Sequence, residues 1–376
     1  MLTEDQTLIR DTARAFATDR LAPSAAAREA AGRIEPEVRK DLGELGFLGM
    51  TVDPDWDGAG ADYVSYAVAL EELARGDGAV STMVSVHNAP FVAILDRFAS
   101  DTQKEAWLKP AARGEHIGCF ALTEAHAGSD ASALRTRAER RNDRYIVNGS
   151  KQFISSARIG GATILFAVTD PAAGKKGLSA FYAPNDTAGF SVARVEDKLG
   201  QKASDTCALA FDDMELPFEN RIGEEGQGYA IALSSLESGR IGIAAQSVGM
   251  AQAAFDAALA YARDRQSFGQ VIFDHQAVQF RLADMETQIE AARQMVLNAA
   301  RMKDAGLPCL REAAMAKLFA SEMAERVCSD AIQTLGGYGY LADYPVERIY
   351  RDVRVCQIYE GTSDIQKIII ARQMAR

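Results

Sequence analysis

The sequence predicts an α+β chain in three parts: a helical domain over residues 1–116, an antiparallel β-sandwich or barrel over 117–223, and a four-helix-type bundle over 224–376. Three observations predict it. Apolar residues at helical spacing fill both ends of the chain. At Ile117 the texture changes to short apolar runs broken by Gly, Pro, Asp and Asn. After Gly223-Glu224-Glu225-Gly226 the helical patterns return and are long. Short strands between two sets of helices point to a small sheet flanked by helical packing.

The first helix should start at Thr3, because Thr3 to Gln6 has the form of a capping box. Leu8, Ile9, Thr12, Ala13 and Phe16 follow on one face, and Pro23 marks the end. Val38, Leu42 and Leu45 give a short helix stopped by Gly46, and Asp57-Gly58-Ala59-Gly60 is a turn. Helical patterns then cover 63–75, about 80–99, and 102–113. In the centre, 117–122 is an apolar run, and 135–141 and 144–148 flank Asn142-Asp143 as a hairpin. Residues 162–169, 178–183, 190–195 and 206–211 read as further strands. The stretch 229–263 is one helix rich in Ala, Ser and Gly. Gly239, Gly242 and Gly249 each cost about 1 kcal/mol against Ala there, so close neighbours must hold it. Helices at 275–305 and 311–335 close at Gly306/Pro308 and Gly336-Gly337, and shorter ones at about 345–355 and 364–374 finish the chain.

Composition narrows the function. The chain has 376 residues, 48% hydrophobic and 25% charged, as in globular proteins of two or three domains. A net charge of −11 argues against general binding to nucleic acid or anionic membrane, while a local basic patch can still take an anionic substrate. Five scattered cysteines without C-x-x-C point to a reducing compartment. The four histidines lack metal-ligand spacing, so no metal is expected. Met1 runs into a helical pattern without a targeting segment, and no run of 18 apolar residues occurs; a cytoplasmic chain without a membrane span is expected. No complete G-x-G-x-x-G follows a strand, and no phosphate-binding G-x-x-x-x-G-K-[ST] occurs, so a nicotinamide site on a Rossmann unit is not expected.

The stretch with most chemistry is 358–366. Glu360 sits between the apolar pair Ile358-Tyr359 and a turn at Gly361. Ser363 to Gln366 has the capping-box form, so a helix should begin there, with Ile365, Ile368, Ile369 and Arg372 at helical spacing and Arg376 at its end. Burial would raise the Glu360 pKa and the helix dipole would lower it; a base working near neutral pH needs the first effect to prevail. On the residues alone, Glu360 is either such a base or a carboxylate that only complements the dipole.

The run 357–372 resembles the C-terminal signature of acyl-CoA dehydrogenases, and the helix, sheet, bundle order is similar to that family's plan along the whole chain. The resemblance implies that Glu360 removes the α-proton of an acyl-CoA thioester. Phe120-Ala121-Leu122-Thr123-Glu124 followed by Ala127-Gly128-Ser129-Asp130 resembles the family's flavin and thioester segment, with Ala125-His126 where Pro-Gly is usual. This implies that Phe120, Leu122 and Thr123 line the flavin ring and that Ser129 bonds flavin phosphate or the substrate's pantetheine. By itself the segment is an edge strand and a polar turn whose Gly128-Ser129 amides can meet an anion or carbonyl.

Lys151-Gln152-Phe153-Ile154-Ser155-Ser156 resembles the segment beside the isoalloxazine. It implies an aromatic wall at Phe153, with Ile154 next to it, and a Ser155 hydroxyl for ring N5. The run 263–269 resembles an Arg-x-x-Phe-Gly turn. It implies Arg265 on pyrophosphate, with Ser267 as a further cofactor contact, Phe268 on adenine, and Gln276 on the nucleotide. Gln333, Gly336 and Gly337 are implied to meet flavin from a neighbouring subunit, and Thr362, Ser363 and Asp364 to approach the dinucleotide at a helix start. Glu237 and Arg240, at i and i+3 on one face, are implied to meet the CoA end of the substrate, with Gly361 also a substrate contact. Plainer readings stay open: a surface ion pair for Arg265, a helix cap for Gly336-Gly337, an intrahelical pair for Glu237.

The family implies an FAD-dependent α,β-dehydrogenation giving a trans-2-enoyl-CoA, with electrons passed to an electron-transferring flavoprotein, in a homotetramer or dimer. Short, branched or medium acyl chains are its usual substrates; short or branched ones are preferred here. Two alternatives share the fold: a flavin oxidase or monooxygenase, and a flavoprotein that mainly binds DNA or a partner. The acidic charge and intact Glu360 segment disfavour the last.

Overall fold

The computed structural model describes residues 1–375; Arg376 lies outside the described residues. The N-terminal helices are α1 Glu4–Phe16, α2 Ala25–Ala31, α3 Pro36–Glu44, α4 Tyr63–Gly76, α5 Gly78–Val86, α6 Ala93–Phe98, α7 Asp101–Gln103 and α8 Lys109–Ala112. Thr3 and Gln6 exchange both capping-box hydrogen bonds at the start of α1, as expected. Pro23 does not end the run. A π turn and a 3-10 turn carry α1 into α2, and Pro23 sits near the start of the 3-10 turn, where its missing N–H costs nothing. The expected apolar face also turns slightly: Ala13 and Phe16 are buried, Leu8 is exposed.

The single helix expected over 80–99 is two. Ala89 takes φ −133° and ψ 62° before Pro90, which disfavours helix at the residue preceding it. The stretch Gly78–Phe98 is long and apolar enough to cross a membrane by composition, yet 89% of its apolar window is packed inside this fold.

Asp77 joins these helices. It caps α5 by accepting from Ala79 N and Val80 N, and it pairs with the buried Arg28 guanidinium of α2 at 2.5 Å. Asp77→Ala strands that cation. Glu35, at 2.8 Å, still faces Arg28, so the expected loss is about 3 kcal/mol, the low end for a broken buried pair. A fall in the urea midpoint at unchanged slope checks it.

The sheet holds β1 Gly118–Ala121, β2 Arg137–Arg141, β3 Arg144–Ser155, β4 Ala162–Val168, β5 Leu178–Pro184, β6 Phe190–Val195, β7 Thr206–Pro217 and β8 Arg221–Ile222. The order is β6-β7-β3-β2-β4-β5-β8, with β1 beside β4. Pairing is antiparallel as expected, except that β1 and one residue of β2 run parallel to β4. β4 and β5 are buried along almost their whole lengths, which is why they read as unbroken apolar runs.

The chain then builds α9 Gly228–Asp264, the hairpin β9 Gln266–Ser267 and β10 Gln270–Val271, α10 Gln276–Asp304, α11 Leu310–Leu335, α12 Val346–Val353 and α13 Ser363–Met374. The glycines of α9 are explained by what approaches them. A Cβ on Gly249 would lie 2.0 Å from the Glu71 carbonyl of α4, and one on Gly242 would lie 2.8 Å from the Tyr66 hydroxyl. The N-terminal helices and the bundle therefore share one core, in which Leu70 and Leu73 join Ala244, Val248, Met323 and Val327. The middle of α9 lies under the site described next.

Candidate active site

A groove of about 710 Å³ runs between the sheet, α9 and the start of α13. It brings together Phe120, Leu122, Thr123, Gly128, Ser129, Phe153, Ile154, Ser155, Arg240, Glu360 and Gly361, residues spread over some 240 positions of sequence.

The sheet side is shaped by a β-bulge. Lys151 pairs with Leu209 and Ile154 with Cys207, so β3 uses one more residue there than β7. The extra length puts Phe153 at φ 60° and leaves its ring 62% exposed at the groove. A bulge that re-aims one side chain beside a cavity is a functional device more than a packing one. The loop after β1 is fastened to it. Lys151 Nζ donates to Leu122 O at 3.0 Å and to Glu124 Oε1 at 2.8 Å, and Gln152 N donates to Thr123 O. Glu124 also accepts from the Arg135 and Thr136 amides. The Lys151 ammonium and neighbouring hydrogen bonds hold its carboxyl below the usual range against the pull of burial.

Opposite stands Glu360, at φ 54°, followed by Gly361 at φ 87°. Two left-handed residues in a row reverse the chain just before α13. The Glu360 carboxylate lies against the bare backbone of Gly239 on α9: a Cβ there would meet Oε2 at 2.8 Å and Oε1 at 3.0 Å. Oε2 is out of reach of solvent and has no hydrogen-bond partner among the described residues. Burial pushes this carboxyl up to about 7, with the Arg240 and Lys317 cations pulling it back. Desolvation thus outweighs those cations, as a base near neutral pH requires. Arg240 is itself only 5% exposed, its Nε unpartnered among the described residues, and burial lowers its pKa from the usual arginine value.

The helix start differs from expectation. Thr362, not Ser363, is the cap of α13, accepting from Ile365 N. No capping box forms at Ser363, because Gln366 turns its amide to Glu360 O at 3.0 Å and Gly361 O at 2.8 Å. Ser363 Oγ is left buried without a partner among the described residues, and Asp364 is exposed. None of Thr362, Ser363 and Asp364 lines the groove.

Other expected contacts lie elsewhere. Glu237 is drawn to Lys303 Nζ at 3.1 Å and makes no pair with Arg240 among the described residues. Arg265, Ser267, Gly336 and Gly337 line a second groove of about 500 Å³ with Tyr338. Phe268 and Gly269 form the tip of the β9–β10 hairpin, both left-handed at φ 52° and 80°, as a primed two-residue turn demands. That turn leaves Phe268 96% exposed. Gln276 and Gln333 are exposed as well. Groove residues that the sequence did not single out include Tyr229, Leu233, Leu236 and Leu310. They sit on helix faces that periodicity alone assigns to core, and no local signal marks them.

Three family descriptions match in order: acyl-CoA dehydrogenase N-terminal domain over residues 3–115, middle domain over 119–214 and C-terminal domain over 226–375. The chain belongs to the acyl-CoA dehydrogenase family. It is 42% identical to a short-chain specific acyl-CoA dehydrogenase of Clostridium acetobutylicum, over 100% of this chain and 99% of that one. The solved butyryl-CoA dehydrogenase of Megasphaera elsdenii superposes with TM-score 0.98 at 40% identity, covering 100% of this chain and 99% of that one. A chain in a structure of the electron transferring flavoprotein of Acidaminococcus fermentans gives TM-score 0.99 at 43% identity, with 100% and 99% coverage.

This acyl-CoA dehydrogenase is therefore an oxidoreductase of an FAD-dependent family that serves fatty acid β-oxidation. Its residues fit that cofactor. The exposed Phe153 face and the apolar Phe120 and Leu122 suit a flat ring. The Gly128-Ser129 turn, which also lines the groove, can offer its amides to an anionic or carbonyl group.

Proposed function

We propose that this acyl-CoA dehydrogenase takes a short-chain acyl-CoA and removes one hydrogen each from Cα and Cβ, leaving a trans-2-enoyl-CoA. The observation that carries the reading is the Glu360 carboxylate, poised near neutral pKa in a groove whose other wall is Phe153 and the loop after β1. Bound FAD supplies the two-electron acceptor for the hydride from Cβ. The chain's own residues do the rest. Glu360 takes the Cα proton. Glu360 N donates to no protein group among the described residues, and it is the donor for the thioester oxygen as charge builds there; one such donor is worth roughly 3 kcal/mol. Arg240 and Lys317 balance the carboxylate. Phe120, Leu122, Thr123, Phe153, Ile154 and Ser155 hold the ring, and Ser129 holds the pantetheine or a phosphate. Val86, Pro90, Leu236 and Ile243 exclude water around the acyl tail.

The short-chain preference follows the two relatives whose names specify short-chain or butyryl substrates. An electron-transferring flavoprotein is the proposed acceptor, supported by the likeness to the Acidaminococcus chain. The second groove and the exposed Phe268 lie apart from Glu360. We take Arg265, Ser267, Phe268, Gln276, Gln333, Gly336 and Gly337 to complete a neighbouring subunit's flavin site in a homotetramer or dimer.

Anaerobic titration with butyryl-, isobutyryl- and octanoyl-CoA tests the reading. Butyryl-CoA should bleach the flavin fastest; a flavin that stays yellow with every thioester overturns it. The same assay gives a pH prediction. Only ionised Glu360 can accept a proton, so bleaching at low substrate should rise with pH through about 7 and then level off. It should be about tenfold slower at pH 6 than on the plateau.

A further inference from the structure

Lys317 lies on α11 and is fully buried. Its ammonium donates to one acceptor, Gly361 O at 2.9 Å, and no carboxylate lies within ion-pair distance of it among the described residues. Burying an ammonium on a single carbonyl is costly, and a methionine would fill the same space at less expense. The position of that carbonyl supplies a reason. Gly361 is the second of the two left-handed residues that turn Glu360 into the groove. From α13, Gln366 Nε2 grips the Glu360 and Gly361 carbonyls together. Both carbonyls are thus tied to α11 or α13, while Glu360 itself lines the groove. A non-glycine residue at φ 54° carries about 1–3 kcal/mol of strain and persists only where its surroundings enforce it.

We propose that Lys317 is a positioning residue for the base: its ammonium clamps the Gly361 carbonyl and, as a cation, sets how readily Glu360 gives up its proton. The charges that act on Glu360 are Arg240 on α9 and Lys317 on α11, and Glu360 in turn acts on the Tyr66 hydroxyl of α4; those that act on Lys317 are Cys356, Glu360, Arg240 and Glu322. Burial brings the Lys317 pKa down to about 8, so the cation is present where Glu360 titrates, at about 7. Arg240 and Lys317 act on the carboxylate from different helices, and removing one leaves the other.

The proposal rests on Glu360 being the base, and its test separates the two claims. Infrared titration of the FAD-loaded protein without substrate follows the Glu360 carboxyl band, identified by its absence in Glu360→Gln. Stopped-flow bleaching with butyryl-CoA gives the pH profile of reduction. In Lys317→Met the carboxyl midpoint should move up by about one unit, as loss of a nearby opposite charge requires. Reduction at pH 7 should fall about fivefold in step with it. A purely structural lysine predicts the reverse: a loosened turn exposes Glu360, and the midpoint drops toward the ordinary carboxylate range. An unmoved or lowered midpoint overturns the proposal. Lys317→Gln is neutral but keeps a donor for Gly361 O, and should show the same upward shift should the methionine variant not fold. Failure of both variants to fold and hold flavin assigns Lys317 to folding alone and also overturns it. A wild-type flavin that ignores every acyl-CoA while the infrared midpoint still shifts sinks the reaction and leaves the clamp standing.

Discussion

Glu360→Gln should give a folded, yellow protein whose flavin no longer bleaches on mixing with butyryl-CoA. Glutamine has the shape of the carboxylate and keeps the contact with Gly239, and the Gln366 and Lys317 bonds to the turn are to backbone carbonyls that the change leaves alone. Only the ability to accept a proton is lost. A positioned base contributes about 10²–10⁴-fold, and the reduction rate should fall by at least that much. Stability should move the other way. The Glu360 pKa is higher folded than unfolded, so between pH 4.5 and about 7 the unfolded chain ionises first and folding weakens as pH rises. The neutral amide removes that burden. At pH 8 the variant should melt no lower than wild type, while below pH 4.5 the difference vanishes. Normal bleaching by the variant would strip Glu360 of its role.

The Glu360 segment stood out in the sequence because its neighbours are consecutive: an apolar pair, a glycine turn and a helix start all lie within nine residues, and only the resemblance, not the residues alone, pointed to a base there. What surrounds it was readable only in part, for reasons that differ residue by residue. The helix start slipped by one because Gln366, the residue that would close a box with Ser363, is taken by the Glu360 and Gly361 carbonyls. Phe153 looks like an ordinary strand residue. Its exposure comes from a bulge that exists only once β3 has paired with β7, 50 residues downstream. Proline 90 was visible in the sequence, but the apolar run through it hid the break in the helix. Lys317 and Gly239 were silent as site residues. A lysine in the pattern of a long helix reads as solvent-facing and a glycine reads as a weakness, until a third element brings Glu360 between them.

That last point yields the sharpest contrast within one helix. Gly239→Ala should fold as well as wild type, or better, and reduce its flavin about 100-fold more slowly. The new methyl would fall within 2.8–3.0 Å of the Glu360 carboxylate, too close to coexist with it. What must give way is the tip of a side chain rather than backbone, so the fold is spared, and alanine gains about 1 kcal/mol in helix propensity. The displaced carboxylate no longer meets Cα at attack distance, and a shift near 1 Å costs about 10²-fold. Gly249→Ala, ten residues on, should do the opposite. Its methyl would sit 2.0 Å from the Glu71 carbonyl, which belongs to the backbone of α4 and cannot step aside without parting two packed helices. That variant should lose stability first, with whatever fraction folds still bleaching at a near-normal rate. Thermal melts and single-turnover reduction of the two proteins, side by side, test the distinction. Equal losses of activity per folded flavin in both would mean that Gly239 serves packing alone.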